Sequence, residues 1–223
     1  MPEPIIYTSS LGKQVKSSAE TLTILDNITL EIKPGETVAI VGESGSGKST
    51  LLGLLAGLDQ ASSGTVNLLG ENLNTLNEDG RALLRAGRVG FVFQSFQLLA
   101  GLSALENVML PLELGKHSQC REQASQLLTS IGLGHRLSHL PGQLSGGEQQ
   151  RVAVARAYAT NPDILFADEP TGNLDQKTGH QIIDLLFEFN QKQHTTLVLV
   201  THDEQLSKRC DTVFRLSEGK LLT

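Results

Sequence analysis

One run of residues, GESGSGKST from Gly42 to Thr50, limits what this 223-residue chain can become. It follows ETVAIV, whose Val and Ile content reads as a buried strand, and it opens into STLLGLLAGL, which reads as a helix. Gly42 to Ser49 fits G-x-x-x-x-G-K-[ST], a pattern that a chain of this length meets by chance about one time in a hundred. Between a strand and a helix, Gly42, Glu43, Ser44, Gly45, Ser46 and Gly47 would curl so that successive backbone N–H groups face phosphates. Lys48 would reach the β- and γ-phosphates, the Ser49 hydroxyl would ligate Mg²⁺, and Thr50 would begin the helix. A nucleoside triphosphate is the ligand this predicts.

Three more apolar runs, VGFVFQ, DILFADE and TTLVLVTHDE, end in polar residues and are separated by helical stretches. Such a pattern predicts an α/β fold with a mainly parallel sheet covered on both faces, and its chemistry at the carboxyl ends of the strands. Those ends carry Gln94, Asp168 with Glu169, and His202. Successive strand residues point to opposite faces, so Asp168 and Glu169 share one site only if the chain leaves the strand there, as Pro170 allows. Asp168 would then hold Mg²⁺ and Glu169 would orient, or take a proton from, the attacking water. Taken singly, each polar residue also reads as an ordinary solvated strand end. Their common edge, together with the glycine loop, favours the catalytic reading.

TLTILDNITLEIKPGE, SGTVNLLGE and DTVFRLSEGKLL predict an antiparallel sheet beside this core, and residues 95–160 read as mostly helical. Within them, LSGGEQQ (Leu144–Gln150) sets Ser145, Gly146 and Gly147 at the head of a helix, which is a second place to hold an anion. The composition narrows the partners. Eighteen Lys and Arg against twenty-four Asp and Glu leave a net charge of −6, which disfavours nucleic acid. No apolar run approaches the length of a membrane span, and the amino terminus lacks the pattern of a signal peptide, so a cytoplasmic chain is expected. Cys120 and Cys210 show neither metal-ligand spacing nor a disulfide framework.

In this order the motifs resemble the ATP-binding subunits of ABC transporters over nearly the whole chain. GESGSGKST is similar to the Walker A motif, VFQ to the Q-loop, LSGGEQQ to the family signature, ILFADE to Walker B, GNLD to the D-loop and VTHD to the switch histidine. The resemblance implies a RecA-like phosphate-loop core with an antiparallel β subdomain (about 1–36 and 64–72) and an inserted helical subdomain (about 95–160), in one domain spanning 1–223. It also implies a cofactor role for ATP with Mg²⁺, and a head-to-tail homodimer in which Ser145, Gly146 and Gly147 hold the γ-phosphate of the partner's ATP. Asp175 would cross that interface. Glu169, His202, Gln94 and Lys48 would be catalytic, with Gln94 also reaching Mg²⁺. Where the family usually stacks an aromatic on adenine, this chain has Val15.

Within the family the sequence is similar to the LolD and MacB branch, and to its YbbA members. An integral membrane permease of the FtsX/MacB type would therefore be the second partner, and the chain would sit on the cytoplasmic face of the inner membrane. Phe96, Leu98 and Leu99 read either as its docking groove or as packing inside the helical subdomain. The expected activity is ATP hydrolysis driving export or mechanotransmission. A soluble ABC ATPase without a permease is the alternative, and a scaffold that binds nucleotide without hydrolysing it is disfavoured by Glu169 and His202.

Overall fold

The computed structural model describes residues 3–16 and 21–222. Two compact units emerge, one from Met1–Arg85 with Thr196–Thr223 and one from Ala86–Thr195. The first begins with β1 (Ile6–Lys16), β2 (Thr21–Ile32), β3 (Thr37–Val41), helix α1 (Lys48–Leu55), β4 (Ser63–Leu68), β5 (Glu71–Asn72) and α2 (Glu78–Arg85). The second holds β6 (Val89–Phe93), α3 (Ala104–Leu114), α4 (Cys120–Ser130), α5 (Gly146–Tyr158), β7 (Ile164–Asp168) and α6 (Gln176–Gln193). The chain returns to the first unit with β8 (Thr196–Val200), α7 (Glu204–Ser207), β9 (Thr212–Ser217) and β10 (Lys220–Leu222). Among the described residues no helix is long and apolar enough to cross a membrane.

In the first unit, β2, β1, β4 and β5 form an antiparallel sheet in that order. Strand β3 runs parallel to β8 on one side and to β9 on the other. Every residue of β3 and β8 is buried, as continuous apolar strands of a parallel sheet require. The hairpin DTVFRLSEGKLL does not join the antiparallel sheet, as its alternation suggested. β9 and β10 do pair antiparallel with each other, but β9 extends the parallel ladder from Val38↔Thr212 to Val41↔Arg215. A side-chain clasp sets this register. The Thr37 N–H and hydroxyl donate to one Asp211 carboxylate oxygen at 2.9 and 2.7 Å, and the Asp211 N–H donates back to the Thr37 hydroxyl at 3.0 Å. These bonds hold the Asp211 carboxyl below the usual range.

In the second unit, β6 and β7 are parallel from Val89↔Ile164 to Phe93↔Asp168. Phe91 stacks on Phe93 and on Phe166, each at 5.7 Å between ring centroids. Helices α3, α4 and α5 enclose an apolar core of Leu105, Val108, Leu112, Leu128, Val152 and neighbours. Their starts are fixed chemically. Ser103 and Glu106 form a reciprocal capping box on α3, and Ser145 and Glu148 form another on α5. The Asn107 side chain, fully buried, accepts from Leu99 N–H at 2.9 Å and donates to the carbonyls of Leu99, Leu102 and Ser103, which ties down the loop before α3.

Helix α5 approaches β6 so closely that a Cβ at Gly90 would lie 2.6 Å from the Ala157 carbonyl oxygen and 2.7 Å from a Leu165 methyl. A main-chain carbonyl inside a helix cannot swing aside as a flexible side chain does. Gly90→Ala should therefore lower the unfolding free energy by about 2 kcal/mol in a urea titration, with the loss appearing as a shifted midpoint. A midpoint equal to that of the parent would show that α5 can move off β6 at little cost.

Candidate active site

In the first unit, Val41 ends β3 and the phosphate loop begins at Gly42. Gly47 is the N-cap of α1 at φ 101°, with no side-chain cap and no acidic residue in the first turn. The start of the helix thus keeps N–H donors and a positive end for an anion. Ser46 is buried, and its hydroxyl has no hydrogen-bond partner in the loop. Lys48 bends back over the turn, its Nζ donating to the Gly42 and Glu43 carbonyls at 2.9 and 2.8 Å. An uncapped helix start, an orphaned buried hydroxyl and a lysine resting on loop carbonyls fit a phosphate chain.

The tip of the β9–β10 hairpin supports this loop from behind. Gly219 N–H donates to the Ser46 carbonyl at 3.2 Å, and the Leu216 carbonyl lies where a Cβ on Gly42 would be. On the neighbouring strand, Val200 pairs with Ile40, so β8 exits beside β3 with His202 exposed at its end. Asp203 caps the short α7 through bonds from Gln205 and Leu206 N–H, at 2.7 and 3.2 Å, which fixes the exit of the chain around His202. Val15 is exposed on β1, and its neighbours Ser17 and Ser18 lie outside the described residues.

In the second unit, the pair Phe93↔Asp168 brings the exits of β6 and β7 side by side, with Gln94 and Glu169 as the next residues. Glu169 has φ 47°, in the left-handed region that glutamate seldom occupies. The chain therefore leaves the strand at this residue, as the sequence requires if both carboxylates are to serve one site. Gln94 rests against the loop that follows. Its Nε2 donates to Asn173 Oδ1 at 3.4 Å, Asn173 donates back to the Gln94 carbonyl at 2.9 Å, and a Cβ at Gly172 would meet Gln94 Nε2 at 2.6 Å. Gly172 and Asn173 were visible only as letters of GNLD. Their service to Gln94 depends on a contact 79 residues away in the chain.

Ser145 caps α5, whose first two residues are Gly146 and Gly147. Its N–H and hydroxyl both donate to Glu148 Oε2 at 2.8 Å, and Glu148 accepts a further bond from Arg136 Nε at 2.9 Å. These bonds, the Ser145 N–H first, hold the Glu148 carboxyl at about 2. Sequence reasoning did not single out Glu148 or Arg136. The only local signal was the capping-box spacing from Ser145 to Glu148. Asp175 is the N-cap of α6, accepting from Thr178 N–H at 3.1 Å, and this bonding lowers its carboxyl below the usual range.

The apolar residues after Gln94 divide. Leu98 packs against the helical core, Leu99 is exposed, and Phe96 is half-buried with its ring tip 3.7 Å from the position of a Gly146 Cβ. Phe96 and Gln97 are both left-handed, at φ 60° and 50°, and Arg156 holds the pair by donating to their carbonyls at 3.2 and 2.6 Å.

A phosphate loop between a buried parallel strand and a helix, in a chain whose other strands end in Gln, Asp-Glu and His, defines a phosphate-loop nucleotide-binding protein. A family model described as ABC transporter matches residues 25–172, and the chain belongs to that family, as one of its ATP-binding subunits. It is 57% identical over 221 residues to the uncharacterized ABC transporter ATP-binding protein YbbA of Escherichia coli K12, covering 98% of this chain and 97% of that one. It is 48% identical over 220 residues to the lipoprotein-releasing system ATP-binding protein LolD of Pseudomonas syringae pv. tomato, with coverages of 98% and 97%. A dimeric post-hydrolysis structure of the ATP-binding cassette MJ0796 bound to ADP and Pi superposes with a TM-score of 0.90 at 40% identity, over 98% of this chain and 97% of that one. The protein is an ABC-type ATPase of the LolD and YbbA kind, and that class implies a membrane permease as partner.

Because the folded Glu148 carboxyl titrates near 2 against an ordinary 4.5, its contribution to stability is complete above pH 4.5 and fades as pH falls toward 2. Glu148→Gln should therefore melt below the parent at pH 7, and the gap should narrow steadily at pH values under 4.5. Melting curves followed by circular dichroism at a series of pH values test this. A gap that stays constant with pH would remove the charge of Glu148 from the account.

Proposed function

We propose that this chain binds ATP with Mg²⁺, dimerises head to tail around two nucleotides, and uses hydrolysis to drive a separate permease of the FtsX/MacB type at the cytoplasmic face of the inner membrane. The observation that carries the reading is the pairing in one chain of two helix starts headed by glycine, the uncapped start of α1 behind the phosphate loop and the start of α5, where Gly146 and Gly147 follow Ser145. One chain needs only the first for its own nucleotide. The second supports a role toward the ATP of a partner copy, and the MJ0796 cassette was solved as a dimer.

In this scheme the phosphate-loop N–H groups and Lys48 bind the phosphates, and Lys48 exchanges its two loop carbonyls for phosphate oxygens. Ser49, Asp168 and Gln94 would hold Mg²⁺, which when bound supplies charge neutralisation between the β- and γ-phosphates. Glu169 orients and deprotonates the attacking water, and the left-handed turn sets its carboxylate off the strand for that task. His202 stabilises the γ-phosphate. Ser145, Gly146 and Gly147 close on the γ-phosphate of the partner's ATP, and Asp175 contributes to the same interface. Val15 offers the base an apolar contact without stacking.

Blocking hydrolysis should trap the closed state. Glu169→Gln protein is expected to be a monomer alone and a dimer with ATP and Mg²⁺ by light scattering, and adding Ser145→Arg should abolish the dimer while ATP binding persists. A monomer in every condition, with ATP bound, would overturn the nucleotide sandwich for the isolated subunit.

For the permease, the exposed Leu99 and the half-buried Phe96 support a docking surface that accepts an amphipathic cytoplasmic helix. Phe96→Ser should abolish stimulation of ATPase by the reconstituted permease and leave nucleotide affinity unchanged. Full stimulation in that variant would return these residues to the helical core.

A further inference from the structure

The signature helix carries a buried amide that none of these roles uses. Gln150, in the second turn of α5, is completely buried. Its Nε2 donates to the Pro170 carbonyl at 2.6 Å and makes a longer contact of 3.5 Å to the Phe93 carbonyl, while its Oε1 has no partner. Those two carbonyls flank the exits of both strands of the unit: Pro170 follows Glu169, and Phe93 precedes Gln94. The orientation of the amide is fixed by chemistry, since turning it over would set an oxygen lone pair against two carbonyl oxygens.

A side chain without charge or flexible reach does not bury an unmet acceptor for packing alone. An apolar residue of the same volume would fill the space and leave no oxygen desolvated. What glutamine supplies, and an apolar side chain does not, is the N–H that holds the turn behind Glu169. That turn is strained, because Glu169 lies at φ 47° and returns to more extended backbone unless its neighbours hold it. The next peptide carbonyl, on Pro170, is the natural handle, since the proline ring fixes φ there and a bond to the carbonyl holds the remaining rotation.

We infer that Gln150 is a positioning residue for hydrolysis: by gripping the Pro170 carbonyl from the signature helix, it holds Glu169 in its left-handed turn and links the placement of that carboxylate to the placement of Ser145, Gly146 and Gly147. The inference rests on the reading of Glu169 as the group that activates water. Helix α5 then joins the residues that face a partner's nucleotide to the residue that acts on the subunit's own, through a single hydrogen bond at the strand exit.

The test uses the full chain with ATP and Mg²⁺. Gln150→Met keeps length and volume but has no donor, and it should lower kcat about tenfold to a hundredfold with KM within about threefold of the parent. Combined with Glu169→Gln, it should still form the ATP-dependent dimer, since phosphate contacts are untouched. Unchanged kcat would overturn the inference, and so would a parallel loss of kcat, nucleotide affinity and dimerisation, which a merely structural residue would give. If Gln150→Met does not fold, Gln150→Glu decides. A protonated carboxyl there can donate to Pro170 and a carboxylate cannot, so its kcat should fall with rising pH relative to the parent profile, and a profile parallel to that of the parent would overturn the inference. Glu169→Gln alone separates the two readings. If it still hydrolyses ATP, the role of Glu169 fails; if it is inactive while Gln150→Met matches the parent, only the role of Gln150 fails.

Discussion

Parallel strand pairing is the constraint from which the rest of this molecule follows. A parallel ladder buries both faces, as every residue of β3 and β8 shows, so polar chemistry has nowhere to sit except where strands end. In the first unit the strand ends carry the phosphate loop and His202, and in the second unit the strand ends carry Gln94, Asp168 and Glu169. Each exit is then held in shape by groups outside the strand. The β9–β10 hairpin supports the loop, Asp203 caps the turn after His202, and Gln150 holds the turn after Glu169.

The elements legible in the sequence were those whose signal is local. A run such as TVAIV reads as a buried strand from its β-branched residues and shortness, and GESGSGKST needs no distant partner to declare itself. The reading of Asp168 and Glu169 was also local, since alternation in a strand forces a break if both are to act together, and the left-handed φ of Glu169 supplies that break. The β9–β10 hairpin was legible as a hairpin but not as to its sheet, because the clasp between Thr37 and Asp211 joins residues 174 positions apart. Gly90 lies inside the apolar run VGFVFQ, and nothing local shows that the carbonyl of Ala157 lies against it.

The candidate site divides along the same line. Its residues were named from motifs, but their supports were not. Gln94 is steadied by Asn173 and Gly172, the Phe96–Gln97 turn by Arg156, and Ser145 by Glu148 with Arg136. Arg136 and Arg156 are polar residues with no periodicity of their own, Gly172 and Asn173 are legible only as letters of GNLD, and none of the four shows what it supports until its contact is known. Helix α5 carries Glu148 and Arg156 together with Gln150 along its length, so a stretch that reads in sequence as an anion-binding start followed by plain helix is also the frame to which both strand exits of its unit are fastened.

The resting place of Lys48 bears on how a phosphate chain would enter the loop. With its ammonium seated on the Gly42 and Glu43 carbonyls, the loop already contains a cation that ties its first two residues to the start of α1. Under the proposed function, nucleotide arrival would be an exchange of oxygens around a charge that folding has already largely buried. In the proposed scheme such a cradle would take up phosphate by trading one set of oxygens for another, a change of partners and not of fold.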